Sequence, residues 1–141
     1  MAAIVSMELV HLVEDDAAVR GTLTRLLVSG GYRVKEYCSG AELLKVAKVL
    51  SDGCILLDIN MPEPDGFAVQ KALCDQAISL PVIMMTGSGD LTVLALKAGV
   101  ADFMQKPFGR GELLSVLDQI SRSVAAAKAD HTCGSGQLID S

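Results

Sequence analysis

The sequence predicts an α/β fold: five strands alternating with five helices, wound into a parallel sheet covered on both faces. Three observations predict it. Along the 141 residues the hydrophobic pattern switches repeatedly between short apolar runs and helical spacing. Two of the runs, Gly53-Cys54-Ile55-Leu56-Leu57-Asp58 and Pro81-Val82-Ile83-Met84-Met85-Thr86, are continuously apolar rather than alternating, as strands buried on both faces are. Helical segments separate the runs, so parallel strands joined by right-handed crossovers follow.

The elements are read in order. Glu8 to Val13 is a short apolar strand ending in Glu14-Asp15-Asp16. From Asp16, a helix N-cap by residue type, Val19, Leu23, Leu26 and Leu27 fall on one helical face until Gly30-Gly31. Tyr32 to Tyr37 alternates as a strand. Ser39 with Glu42 forms a capping box that opens a second helix through about Leu50. The third strand ends at Asp58, a turn covers Pro62 to Gly66, and a third helix runs from Phe67 to about Gln76. After the Pro81–Thr86 strand and Gly87-Ser88-Gly89, a short helix spans about Leu91 to Ala98 and closes at Gly99. Phe103 to Gln105 is the fifth strand, before Lys106-Pro107. The last helix carries Leu113, Leu117, Ile120 and Val124 on one face.

Bulk properties narrow the function. Half of the residues are hydrophobic and 21% are charged, which fits one packed domain over residues 8–127. Residues 1–7 read as a frayed leader and 128–141 as a flexible tail or truncated linker. Twelve basic against seventeen acidic residues give a net charge of −5 without any basic stripe. Nucleic-acid binding by this domain is therefore not expected. No apolar run reaches the roughly 18 residues of a membrane span. The four cysteines and two histidines form no ligand pattern, which fits a reduced, cytoplasmic setting.

In an open α/β sheet, functional groups gather outside the carboxyl ends of the strands. Here those ends carry Glu14-Asp15-Asp16, Asp58, Thr86 and Lys106; the second strand ends in Tyr37 without a charge. Each residue alone has a bland explanation, as a cap or as plain surface. Four strand ends aiming acids, a hydroxyl and an ammonium at one rim point to chemistry. Crowded carboxylates repel by a few kcal/mol per close pair at an effective dielectric of about 20, so they call for a cation. Without thiolates or imidazoles, a hard ion such as Mg²⁺ suits the cluster. With the metal, Lys106 and Thr86 neutralising an incoming phosphoryl group, Asp58 could attack it.

Glu14-Asp15, Asp58 with Met61-Pro62 and Asp65-Gly66, Thr86, and Lys106-Pro107-Phe108 together resemble the receiver domain of bacterial two-component response regulators. The stretches "GYRV", "LPVIMMTGSGD" and "KAGVADFMQKPF" look most like the nitrogen-fixation regulator branch. The resemblance implies a flavodoxin-like (βα)5 sheet of strand order 2-1-3-4-5. It implies a phosphorelay role in which Asp58 accepts a phosphoryl group from a histidine kinase or a histidine phosphotransfer protein. Such a chain is not an enzyme on other substrates; it catalyses only its own phosphorylation and dephosphorylation. Asp15, Asp58 and the Asn60 main-chain carbonyl would ligate Mg²⁺, with Glu14 acting through water. Lys106 would pair with the phosphoryl group, and the bond to Pro107 would be cis. Thr86 and Phe103 would switch the face formed by the fourth helix, fifth strand and fifth helix, through which a homodimer is possible. Asn60 and Ser88 stand where the family tunes loss of the phosphoryl group, and the first helix, around Arg20 and Thr24, is the expected kinase-docking surface.

Three departures from the family pattern stand out. Thr86 and Lys106 are about two positions closer than usual, at the cost of a fourth helix that is apolar nearly all round. Pro64 stiffens the turn after Asp58, and Gly109 replaces a stronger cap for the last helix. Two rival functions remain at this level. An Asp-nucleophile phosphatase would need a second Asp where Asn60 stands. A phosphate-independent pseudo-receiver would be expected to lack one of the acids or Lys106, and all are retained.

Overall fold

The structure is a computed structural model that describes residues 8–50, 52–87 and 99–133. Five parallel strands form one sheet: β1 (Leu9–Val13), β2 (Arg33–Tyr37), β3 (Cys54–Asp58), β4 (Val82–Thr86) and β5 (Asp102–Gln105), in spatial order β2-β1-β3-β4-β5. The helices are α1 (Ala17–Ser29), α2 (Gly40–Val46), α3 (Gly66–Asp75) and α4 (Arg110–Cys133), the last being the fifth helix of the sequence pattern. The predicted helix around Leu91–Ala98 lies outside the described residues, as does Ser88.

Side chains alternate across the sheet, so each strand feeds two cores. Val10, Leu12, Leu56, Ile83 and Met85 pack with Leu23 and Leu27 of α1 and Leu113 and Leu117 of α4. Val13, Ile55, Leu57 and Met84 pack with Leu43 of α2 and Val69 and Leu73 of α3. Strand β3 is covered on both sides: Cys54, Ile55, Leu56 and Leu57 are 0% exposed. Each such large apolar side chain stabilises the fold by about 2 kcal/mol. Three of them together match the several kcal/mol needed to desolvate one ion, so β3 can hold a carboxylate at its end.

Register aligns the strand ends. Val13 sits opposite Tyr37 and Leu57, Asp58 opposite Met85, and Thr86 opposite Gln105. The residues that follow each strand therefore emerge on one rim.

Two helices differ from the sequence expectation. The second is α-helical only to Val46 and tightens into a 3-10 turn over Ala47–Val49. The last runs to Cys133, past the expected boundary at 127. Ala125-Ala126-Ala127 and Lys128-Ala129 are strong helix formers and carry it on.

Candidate functional site

Each acid is positioned by its local chain. Asp16 caps α1, its side chain accepting from the Ala18 and Val19 amides, which turns the chain sharply after β1. Glu14 lies just before this cap. Its N–H donates to the Tyr37 carbonyl at 3.1 Å, so it still belongs to the sheet. Its side chain folds inward to 1% exposure and accepts from the Asp16 N–H at 3.2 Å. Asp15 between them is exposed. Asp58, 2% exposed, accepts from the Asn60 N–H at 3.1 Å. The turn after Asp58 is closed by Gly66, whose N–H donates to the Ile59 carbonyl. A Cβ at Gly66 would lie 2.6 Å from Ile59 Cα and 2.8 Å from the Asp58 carbonyl oxygen, so only glycine lets α3 start this near.

Lys106 enters from β5, its N–H bonded to the Thr86 carbonyl at 2.7 Å. Its Nζ lies 2.8 Å from Glu14 Oε1 and 3.4 Å from Asp58 Oδ1. Carboxylate oxygens of Glu14, Asp15 and Asp58 all fall within 4.8 Å of one another. Burial and the neighbouring Glu14 push the Asp58 carboxyl from 3.8 up to about 6, against the pull of Lys106 and the Asn60 N–H. Burial drags Lys106 down, but its contacts with Glu14 and Asp58 outweigh this and raise it above its ordinary value. Three carboxylates facing one ammonium leave the cluster short of positive charge. All three candidate ligands are carboxylate oxygens, a donor set that fits a hard divalent ion rather than a soft one.

Other residues singled out by sequence fall around this cluster. Thr86 is fully buried at the end of β4. Phe103 is half-buried on β5 and packs against the core on the α2 and α3 side. The Lys106–Pro107 peptide is cis. Asn60 is exposed, and the structure shows its N–H rather than its carbonyl engaged with Asp58. Two features went unread in the sequence: a second cis peptide, Glu63–Pro64, and the role of Arg20, whose guanidinium bonds the Glu14 main-chain carbonyl at 2.7 Å. Its position one helical turn after the Asp16 cap was the available signal.

The family model described as "Response regulator receiver domain" matches residues 10–118. The chain belongs to the response regulator receiver family. The receiver is 35% identical to the transcriptional regulatory protein FixJ of Rhizobium meliloti (strain 1021) over 123 residues, 86% of this chain and 60% of that protein. It is 40% identical to FixJ of Azorhizobium caulinodans over 110 residues, 77% of this chain and 52% of that protein. The chain thus spans between half and three fifths of these curated relatives. The crystal structure of FixJ-N superposes with a TM-score of 0.77 at 33% identity, over 81% of this chain and 93% of that one. The receiver domain of the sensor histidine kinase PA1611 from Pseudomonas aeruginosa PAO1, solved with a magnesium ion coordinated in its active-site cleft, gives 0.75 at 28% identity over 82% and 98%. These likenesses put the receiver in the nitrogen-fixation regulator branch of the response regulators, which are signalling proteins. Among the described residues no helix is long and apolar enough to cross a membrane.

Beside the acidic rim the receiver carries an apolar groove of about 380 Å³ between α1 and the start of α4. Ala18, Val19, Leu23, Leu26, Pro107 and Phe108 line it, with Lys106 at its edge.

Proposed function

We propose that Asp58 is the phosphoacceptor of a Mg²⁺-dependent phosphorelay. The observation that carries this reading is the buried Asp58 carboxylate, held within reach of Glu14, Asp15 and Lys106. An Asp58 oxygen attacks the phosphorus of a phosphohistidine. The P–N bond breaks, its electron pair returns to the imidazole nitrogen, and an acyl phosphate forms. Asp15 and Asp58, with Glu14 directly or through water and the Asn60 carbonyl, would hold Mg²⁺, which neutralises phosphoryl oxygens when bound. Lys106 pairs with the third phosphoryl oxygen, exchanging its contact with Glu14 for one with the phosphate.

The donor is a histidine kinase or a histidine phosphotransfer protein, docking along α1 and its apolar groove so that its histidine meets the rim. The added charge draws Thr86 toward the phosphoryl group, and Phe103 follows it inward. Together these movements switch the surface formed by the fourth predicted helix, β5 and α4, where a homodimer or an output domain would bind. Asn60 and Ser88 tune how fast water removes the phosphoryl group. The domain takes in residues 8–127 together with the remaining turns of α4 to Cys133, and works in the cytoplasm.

Intact-mass measurement after incubation with acetyl phosphate, with and without Mg²⁺, tests the reading on the natural sequence and Asp58→Asn. A single Mg²⁺-dependent phosphoryl adduct, absent from Asp58→Asn, is expected. An adduct of equal yield on Asp58→Asn would remove Asp58 as acceptor. No adduct and no burst of phosphate release would favour a phosphate-independent interaction module.

A further inference from the structure

The Glu14 carbonyl sits where the sheet runs out. Its own N–H still bonds Tyr37 on β2, but β2 ends at that residue. Beyond Tyr37 the chain leaves the sheet for the Ser39 cap of α2, where Cys38 N–H bonds Glu42 Oε1 at 3.0 Å. A main-chain carbonyl at this depth requires a donor, and Arg20 supplies it at 2.7 Å. Arg20 is itself held. Its Nε lies 4.0 Å from Glu36 Oε1, and Thr24 donates to the other Glu36 oxygen. The Arg20 side chain is 18% exposed, so the guanidinium is shielded as well as anchored. A chain of contacts therefore runs from the surface of β2 through Glu36 and Arg20 to the backbone that carries two of the three acids.

We infer that Arg20 is a positioning residue for the cation site, fixing the Glu14–Asp15 backbone through the Glu14 carbonyl, with Glu36 as its anchor. The inference rests on the reading of Glu14, Asp15 and Asp58 as a Mg²⁺ site. Without the guanidinium the Glu14 carbonyl must find water, and the turn between β1 and α1 gains freedom at the two ligating residues. Supporting groups of this kind change metal affinity by roughly 10–100-fold when removed. An arginine suits the position because its planar fork can bond the carbonyl and face the Glu36 carboxylate at once, whereas lysine offers a single point charge.

The test is Mg²⁺ affinity by titration calorimetry, measured beside urea stability, on the full chain. Arg20→Ala is expected to weaken Mg²⁺ binding about tenfold, Arg20→Lys to recover part of the loss, and Glu36→Gln to lose about threefold. The double variant should bind no worse than Arg20→Ala, because Glu36 acts only through Arg20. Arg110→Ala is the control for general destabilisation, since Arg110 clamps the far end of α1 through Ser29 at 2.8 Å; it should leave Mg²⁺ affinity unchanged. Arg20→Ala binding within about twofold of the natural sequence, while Asp58→Asn loses the ion, would overturn the inference and leave the phosphoacceptor reading standing. Equal losses in Arg20→Ala and Arg110→Ala would also overturn it. Failure of the natural sequence to bind Mg²⁺ would overturn both.

Discussion

Lys106 is nearer to Glu14 than to Asp58: its Nζ lies 2.8 Å from Glu14 Oε1 and 3.4 Å from Asp58 Oδ1. Both carboxylates are buried, at 2% and 3% side-chain exposure, so the ammonium is the group that makes two adjacent acids tolerable. Removing it leaves uncompensated charge, which costs about 3 kcal/mol at a buried pair. Lys106→Ala should therefore lose about that much stability at neutral pH, and saturating Mg²⁺ should return most of it. Urea unfolding with and without the ion measures both. Equal stability of Lys106→Ala in the two conditions would show that the ion does not stand in for the ammonium.

Asp58, raised to about 6 in the folded chain from 3.8, fixes a pH dependence. A raised carboxyl contributes stability that is present below 3.8 and lost as pH climbs to about 6. Asp58→Asn should lack this slope and be the more stable protein above pH 6 without metal. The same proton competes with a cation. Mg²⁺ affinity should rise by up to about tenfold per pH unit below the Asp58 pKa and level off above it, with proton release on binding. Calorimetric titration in buffers of different ionisation enthalpy reads that release directly.

His11 gives the opposite slope. It is 3% exposed on β1, with Nε2 3.2 Å from the Asp52 carbonyl and Nδ1 3.0 Å from the Tyr37 hydroxyl. A carbonyl only accepts, so Nε2 carries the proton and Nδ1 accepts from Tyr37. Burial lowers the His11 pKa from 6.5, opposed by the Asp52 carbonyl. A lowered histidine contributes stability that is present above 6.5 and lost as pH falls through the folded value. His11→Gln should flatten stability in that window; an unchanged pH profile would mean that His11 titrates alike in the folded and unfolded chain.

Gly66→Ala is expected to lose about 3 kcal/mol and to slow phosphorylation by acetyl phosphate. The added methyl would meet backbone atoms of Asp58 and Ile59 at 2.8 and 2.6 Å, so α3 or the acceptor strand must shift. Gly109→Ala is the comparison, because a Cβ there meets nothing within 4 Å. Equal behaviour of the two variants in urea would refute the close-approach argument.

Much of the site was legible because its residues sit at strand ends. The run Ile55-Leu56-Leu57 announces a strand buried on both faces, and the acid after it must then emerge at the rim. The same logic places Glu14, Thr86 and Lys106. Helix starts were equally readable where a side chain makes the cap: Asp16 and Ser39 each accept from an amide of the helix they open. Arg20 was read as part of a docking face. Its bond goes to a main-chain carbonyl, which is the same chemical group at every residue, so only its place one helical turn after the Asp16 cap marks it in the pattern.

By itself the sequence determined the α/β alternation, the two-sided burial of β3 and β4, and the set of polar residues at the strand ends. These follow from local periodicity and capping chemistry, which act within a few residues. Only the tertiary structure decided that Lys106 bonds a glutamate 92 positions earlier, that Arg20 closes the ladder after β2 ends, and how high the Asp58 carboxyl is driven. Each depends on the register that brings separate strand ends to one rim, and on the low dielectric there, which no local stretch of chain contains.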